Sequence, residues 1–148
     1  MASKKILFVC TGNTCRSPMA EYYFNHKAAE AGLDASASSC GLFANVGAPM
    51  STGAVAALAA QNIAAPENIS HRSRQVEPEI IANSDLVYGV TQSHAARLKE
   101  SFPDFADKIF ALPNDIGDPY GQSDEVYRLC FEEIKKAVDA IIKSIAEF

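Results

Sequence analysis

The residues that most constrain the fold lie just after the N-terminus, where a short apolar run leads into a glycine-containing loop. The run Ile6–Val9 is typical of a buried strand, and the loop that follows reads C-T-G-N-T-C-R-S from Cys10. Ser17 and Pro18 then suit the N-cap and the first position of a helix. The sequence therefore predicts a strand, a tight loop and a helix in direct succession, with Gly12 permitting a positive φ and a close backbone approach in the loop.

The same loop brings together groups that bind a tetrahedral anion. Loop N–H groups and the planar guanidinium of Arg16 can contact phosphoryl oxygens, while the helix N-terminus favours an anion or a thiolate. Cys10 precedes Arg16 by six positions and is a candidate nucleophile. The spacing alone fits a buried core cysteine in an ordinary turn equally well. The strand before the loop and the helix start after it favour phosphate chemistry.

Composition excludes several function classes. A chain of 148 residues suits a single domain over residues 1–148, and a net charge of −5 without a basic cluster argues against nucleic-acid binding. No apolar run is long enough to span a membrane and Met1–Lys5 does not resemble a signal peptide, so a cytoplasmic protein is expected. The four cysteines are expected to be free thiols, and no zinc-ligand spacing is present, so no metal is predicted.

Strand and helix patterns alternate along the chain. The predicted strands are Lys5–Cys10, Ala35–Cys40, Asp85–Val90 and Lys108–Leu112. The predicted helices are Ser17 to about Ala31, one beginning near Ser51, Pro78–Ala82, Gln92–Ser101, and Ser123 to about Glu147. Apolar side chains follow one face of the last helix, namely Tyr127, Cys130, Phe131, Ile134, Val138, Ile141, Ile145 and Phe148. This order predicts an α/β fold, a three-layer sandwich with a four-stranded parallel sheet and the loop at the carboxyl ends of its strands.

Two separated motifs resemble the low-molecular-weight protein tyrosine phosphatase family. Val9–Pro18 reads V-C-T-G-N-T-C-R-S-P, and Asp118-Pro119-Tyr120 precedes the last helix. The resemblance implies a cysteine-dependent phosphatase that hydrolyses phosphorylated protein side chains through a phosphocysteine intermediate. It further implies phosphorylated proteins as partners, inorganic phosphate as product and inhibitor, no cofactor, and a monomer.

The resemblance also implies roles for individual residues. Cys10 corresponds to the nucleophile, Arg16 to the phosphate clamp, and Asp118 to the general acid and then base. The residues after Asp118 support this, because Pro119 biases the preceding residue toward an extended conformation that projects its side chain. A surface turn is the alternative for an isolated Asp-Pro pair.

Further positions match the family around this set. Thr11, Gly12, Asn13, Thr14, Cys15 and Ser17 correspond to phosphate-loop positions, with Asn13 organising the loop and Ser17 bonding the thiolate. His71 corresponds to a loop-supporting residue, and Tyr120 to an aromatic wall of the cleft. Cys15 either forms a reversible disulfide with Cys10 or packs beneath the loop.

The substrate is less constrained than the reaction. Thr11 occupies a position where many tyrosine-specific relatives carry Leu or Ile, and this resembles the phosphoarginine phosphatase branch. Phosphotyrosine is the substrate that the family resemblance implies, and phosphoarginine is the alternative that Thr11 favours. Arsenate reduction would need mobile resolving cysteines, whereas Cys40 and Cys130 fall in a predicted strand and helix. A phosphate-binding module without catalysis would need neither Cys10 nor Asp118.

Overall fold

The four predicted strands form one parallel sheet in the computed structural model, which describes residues 3–147. The strands are β1 Lys4–Cys10, β2 Ala35–Gly41, β3 Leu86–Gly89 and β4 Ile109–Ala111, in the spatial order β2-β1-β3-β4. All three pairings are parallel, which confirms the predicted sheet.

Strand β1 lies inside the sheet and carries the first cysteine to its edge. It pairs with β2 from Lys4 opposite Ala35 to Cys10 opposite Gly41, and with β3 on its other side. Ile6–Cys10 is buried throughout, as expected for a strand covered on both faces. Because the strands run in parallel, the carboxyl end of β1 places Cys10 in the middle of one sheet edge.

Within the described residues, five α-helices cover the two faces of the sheet. They are α1 Arg16–Glu30, α2 Thr52–Ala60, α3 Pro78–Ala82, α4 Gln92–Ser101 and α5 Asp124–Ala146, with short 3-10 turns at Pro66–Asn68 and Pro103–Lys108. Phe8 packs with residues of α1, α2 and α5 in one hydrophobic cluster. Leu7 and Val9 point to the other face, into a cluster with residues of α3 and α4. This alternation produces the predicted three layers.

The last helix has the apolar face that its sequence predicts. The predicted residues that are buried in α5 are Tyr127, Cys130, Phe131, Ile134, Val138, Ile141 and Ile145. The final member of the predicted stripe, Phe148, lies outside the described residues. The Ser123 hydroxyl caps the helix by accepting from the Val126 N–H at 3.4 Å. Within residues 3–147, no helix combines the length and apolar character needed to cross a membrane.

The start of α1 differs from the prediction. The helix begins at Arg16, and Cys15 occupies the N-cap position without a side-chain cap. Ser17, predicted as the N-cap, lies within the first turn and its hydroxyl faces inward, 2.9 Å from Cys10 Sγ. The N-cap prediction was wrong because it rested on local propensity alone. In the folded loop the Ser17 hydroxyl contacts the Cys10 sulfur and does not cap the helix.

Candidate active site

Cys10 lies at the floor of the loop that joins β1 to α1. Its side chain is almost completely buried, with 2% exposure. The Asn13 N–H donates to Cys10 Sγ at 3.3 Å, and the Ser17 hydroxyl lies 2.9 Å from the same sulfur. The loop therefore surrounds the Cys10 sulfur with hydrogen-bonding groups.

Asn13 gives the loop its shape. Its φ of 59° is left-handed, whereas Gly12, which was predicted to permit a positive φ, is not among the positive-φ glycines. Asn tolerates this conformation because its short polar side chain can hydrogen-bond locally. The Asn13 Nδ2 group donates to the hydroxyls of Ser17 and Ser39, each at 2.9 Å, and its Oδ1 accepts from the Arg74 N–H at 2.9 Å.

A second segment supports the loop from outside. The Asn13 carbonyl accepts from the Ser73 hydroxyl at 2.8 Å and lies 2.7 Å from His71 Nε2. Burial lowers the pKa of His71 below its usual 6.5, so the imidazole is neutral at pH 7 and donates through one nitrogen. His71 therefore contacts the loop backbone and lies behind the cavity wall.

The glycine that permits close backbone approach is Gly41, at the end of β2. A Cβ at this position would lie 2.6 Å from the Thr11 carbonyl oxygen and 3.1 Å from the Asn13 nitrogen. A Cβ at Gly12 would meet nothing closer than 3.9 Å. Sequence reasoning assigned this role to Gly12 because that residue lies in the motif. The crowding comes from β2, which packs beside the loop. The residues around Gly41 carry no sequence pattern that would indicate this contact.

Arg16 is held in place by a backbone carbonyl from a distant loop. Its guanidinium donates from Nη1 to the Ile116 carbonyl at 2.9 Å and is 6% exposed. Its Nη2 lies 3.8 Å from Asp118 Oδ2, and the Asp118 side chain is 57% exposed. An ion pair this long and this exposed stabilises little. Asp118 is further oriented by the Tyr120 N–H, which donates to its Oδ1 at 3.0 Å.

These residues surround a cavity of about 310 Å³. The predicted site residues in its wall are Cys10, Thr11, Gly12, Thr14, Cys15, Arg16, Asp118 and Tyr120. Asn13, Ser17 and His71 are not in this wall; they contact the loop from behind. Sequence reasoning missed Phe43, Asn45 and Ala48, which line the cavity from the segment after β2.

Cys15 lies beneath the loop among polar groups. Its thiol donates to the Ser51 hydroxyl at 3.2 Å, and its sulfur lies 3.3 Å from the Tyr127 hydroxyl of α5. Burial and the bond with Cys15 raise the pKa of Tyr127 to about 12, so the phenol stays protonated. The four cysteines, all within the described residues, are free thiols. Cys15 is therefore a free thiol in this structure, bonded to Ser51 and close to Tyr127.

Comparison with known proteins decides the family. The model described as low molecular weight phosphotyrosine protein phosphatase matches residues 5–148. The chain belongs to this family. A protein-arginine-phosphatase of Bacillus subtilis (strain 168) is 34% identical over 147 residues, which cover 95% of each chain.

Solved structures agree with this assignment. A low molecular weight protein tyrosine phosphatase from T. tengcongensis superposes with a TM-score of 0.91 at 40% identity, covering 96% of this chain and 99% of the other. The YwlE arginine phosphatase, solved as a mutant with a phosphorylated active-site serine, has a TM-score of 0.90 at 34% identity, covering 96% and 95%. This phosphatase is therefore a cysteine-dependent hydrolase of a family that acts on phosphorylated proteins. The fold, family and reaction type expected from the sequence are confirmed.

Proposed function

We propose that this phosphatase removes phosphoryl groups from phosphoarginine in proteins. The observation that carries the proposal is a pair of hydroxyl side chains, those of Thr11 and Thr14, which line the same cavity as Cys10. A hydroxyl oxygen can accept from a guanidinium N–H, whereas it offers little to a phenyl ring. The resemblance to a protein-arginine-phosphatase of Bacillus subtilis supports the same choice.

In this mechanism Cys10 attacks phosphorus from the cavity floor. A bond forms between Cys10 Sγ and phosphorus as the bond from phosphorus to the side-chain nitrogen breaks. The guanidinium of Arg16 and the loop N–H groups hold the phosphoryl oxygens, and they stabilise charge that develops there. The Ile116 carbonyl fixes Arg16 in position before substrate arrives.

Asp118 completes both halves of the reaction. As a carboxylic acid it protonates the leaving nitrogen, and as a carboxylate it then takes a proton from the water that attacks the phosphocysteine. The Asp118 side chain is 57% exposed and lines the same cavity as Cys10, where the leaving group would lie. The products are the unmodified side chain, inorganic phosphate and the restored Cys10 thiolate.

The exposed ring of Tyr120 forms one side of the cavity mouth. An aromatic face can stack on a guanidinium or on a phenyl ring, so it suits either head group. We extend the proposal to a cytoplasmic monomer that needs no cofactor and is inhibited by its product phosphate. Product inhibition follows because the cradle that binds the phosphoryl group also fits free phosphate.

The proposal is tested with two peptides that differ only in carrying phosphoarginine or phosphotyrosine. We expect a higher kcat/KM for the phosphoarginine peptide, and competitive inhibition by inorganic phosphate. Cys10→Ser should abolish turnover and keep phosphate binding, because a serine hydroxyl is far harder to deprotonate. A clear preference for phosphotyrosine contradicts the substrate assignment. Full turnover by Cys10→Ser contradicts the mechanism.

A further inference from the structure

A chain of side-chain hydrogen bonds connects the active-site loop to α4. Thr11 Oγ1 lies 2.9 Å from His94 Nε2, across 83 positions of sequence. The other ring nitrogen, Nδ1, lies 2.8 Å from Thr91 Oγ1. Thr91 also caps α4, since its hydroxyl accepts from the His94 N–H at 3.1 Å. The helix cap therefore fixes the imidazole, and the imidazole contacts Thr11.

Thr11 stands between two cavities, and His94 belongs to only one of them. Thr11 lines the active-site cavity and also a neighbouring cavity of about 310 Å³. His94 lines the neighbouring cavity and is not in the active-site wall. The backbone of Thr11 is fixed as well, because its carbonyl accepts from the Phe43 N–H at 2.9 Å. His94 therefore bonds a side chain of the active-site wall without lining that cavity itself.

The charge state of His94 determines what Thr11 can do. Burial, and then the positive charge of Arg16, lower the pKa of His94 to about 4, while Asp115 and Asp118 act in the opposite direction. At pH 7 the imidazole is neutral, with one donor nitrogen and one acceptor nitrogen. Nε2 faces the loop, where Arg16 and the loop N–H groups create a positive potential. That potential favours the lone pair on Nε2 and the proton on Nδ1.

This tautomer defines the donor and the acceptor of each hydrogen bond between Thr91, His94 and Thr11. The Nδ1–H group donates to Thr91 Oγ1, which already accepts from the His94 N–H. Thr91 is half-buried, so its hydroxyl can donate its own proton to solvent. The Thr11 hydroxyl then donates to Nε2. Its oxygen is left with lone pairs for the substrate cavity.

We propose that His94 is a positioning residue that, held by Thr91, orients the Thr11 hydroxyl as a hydrogen-bond acceptor and so favours a guanidinium head group. This inference rests on the proposed function, because it explains how the site would select phosphoarginine. Without His94, the Thr11 side chain has three staggered χ1 positions and its hydroxyl proton has three more. His94 restricts both the χ1 angle and the hydroxyl proton of Thr11 to one of three positions. One arrangement out of nine corresponds to a preference for phosphoarginine of about ninefold.

The test compares His94→Asn with His94→Gln. The amide of Gln reaches the position of Nε2 and can still bond Thr11, whereas the shorter Asn replaces only Nδ1. We expect His94→Asn to lower the ratio of kcat/KM for phosphoarginine over phosphotyrosine peptides by about ninefold, and His94→Gln to keep it within about threefold of wild type. In a Thr11→Val background there is no hydroxyl to orient. His94→Asn and His94→Gln should then give equal ratios of kcat/KM for the two peptides.

Controls separate positioning from a general loss of structure. Inhibition by inorganic phosphate involves no head group, so its inhibition constant should stay within about twofold of wild type in both variants. The inference is overturned if His94→Asn lowers kcat/KM equally for both peptides. It is also overturned if His94→Asn still lowers the ratio in the Thr11→Val background. A wild-type preference for phosphotyrosine contradicts the proposed function instead, since the inference concerns the change in the ratio.

A measurement on the wild-type protein tests the tautomer even if a variant fails to fold. Ring nitrogen chemical shifts from NMR distinguish the two neutral forms of histidine. We expect the His94 proton on Nδ1 at pH 7. A proton on Nε2 would make Thr11 the acceptor from His94 and overturn the inference.

Discussion

Asn13→Ala is the substitution that most directly tests how the active-site loop is held. The Asn13 side chain makes three hydrogen bonds, to the hydroxyls of Ser17 and Ser39 and to the Arg74 N–H. Asn13 itself is 0% exposed. Alanine removes these three bonds and offers no side-chain donor or acceptor in their place. It also places a Cβ without polar groups at a φ of 59°.

The expected loss of stability follows from these contacts. Each of the three lost hydrogen bonds costs about 1 kcal/mol, which totals about 3 kcal/mol. Holding alanine in the left-handed region adds about 1 kcal/mol. The free energy of unfolding should therefore fall by about 4 kcal/mol in Asn13→Ala. Asn13→Gly loses the same bonds without the backbone strain, so it should fall by about 3 kcal/mol.

Urea unfolding measures both values. With a slope of about 2 kcal/mol per molar urea, the midpoint of Asn13→Ala should fall by about 2 M. Inorganic phosphate should also bind more weakly to both variants, since the loop that holds it has lost its supports. A midpoint shift of less than about 0.5 M in Asn13→Ala would refute the reasoning, because it would show that the three bonds contribute almost nothing.

Three further predictions concern the reaction, the substrate and pH. Asp118→Asn should lower kcat at least about 100-fold on esters with poor leaving groups and much less on good ones, and equal losses on both would exclude Asp118 as the acid. Thr11→Ile should raise the kcat/KM ratio of phosphotyrosine over phosphoarginine at least about tenfold, which an unchanged ratio contradicts. Because the pKa of His94 falls from 6.5 to about 4 on folding, the unfolded chain binds more protons between these values. Wild-type stability should fall by up to about 3 kcal/mol as pH drops from 6.5 to 4, and urea titrations of His94→Gln should lack this component.

Much of the candidate site could be predicted because most of its residues lie close together in the sequence. Cys10, Arg16 and the loop between them occupy one short segment, and β1 before it carries a continuous apolar run. Asp118 is remote, but the proline after it marks the position. The helical periodicity of α5 and the alternation of strands with helices predicted the layers of the fold.

The supports of the loop could not be predicted in the same way. Gly41 approaches the Thr11 carbonyl only because β2 pairs with β1 in one particular register. Sequence reasoning allowed a left-handed residue at Gly12 and placed the helix cap at Ser17. In the folded loop Asn13 takes the positive φ, and the Ser17 hydroxyl bonds both Asn13 and the Cys10 sulfur.

The sequence by itself determined the order of strands and helices and the position of the loop that carries Cys10 and Arg16, because periodicity and turn chemistry act over a few neighbouring residues. Only the tertiary structure decided which groups hold that loop in shape. The Ile116 carbonyl on Arg16 and His94 on Thr11 bridge 100 and 83 positions of sequence. Such contacts depend on how the strands and helices pack together, and a packing contact between distant segments imposes no repeating pattern on the sequence of either one.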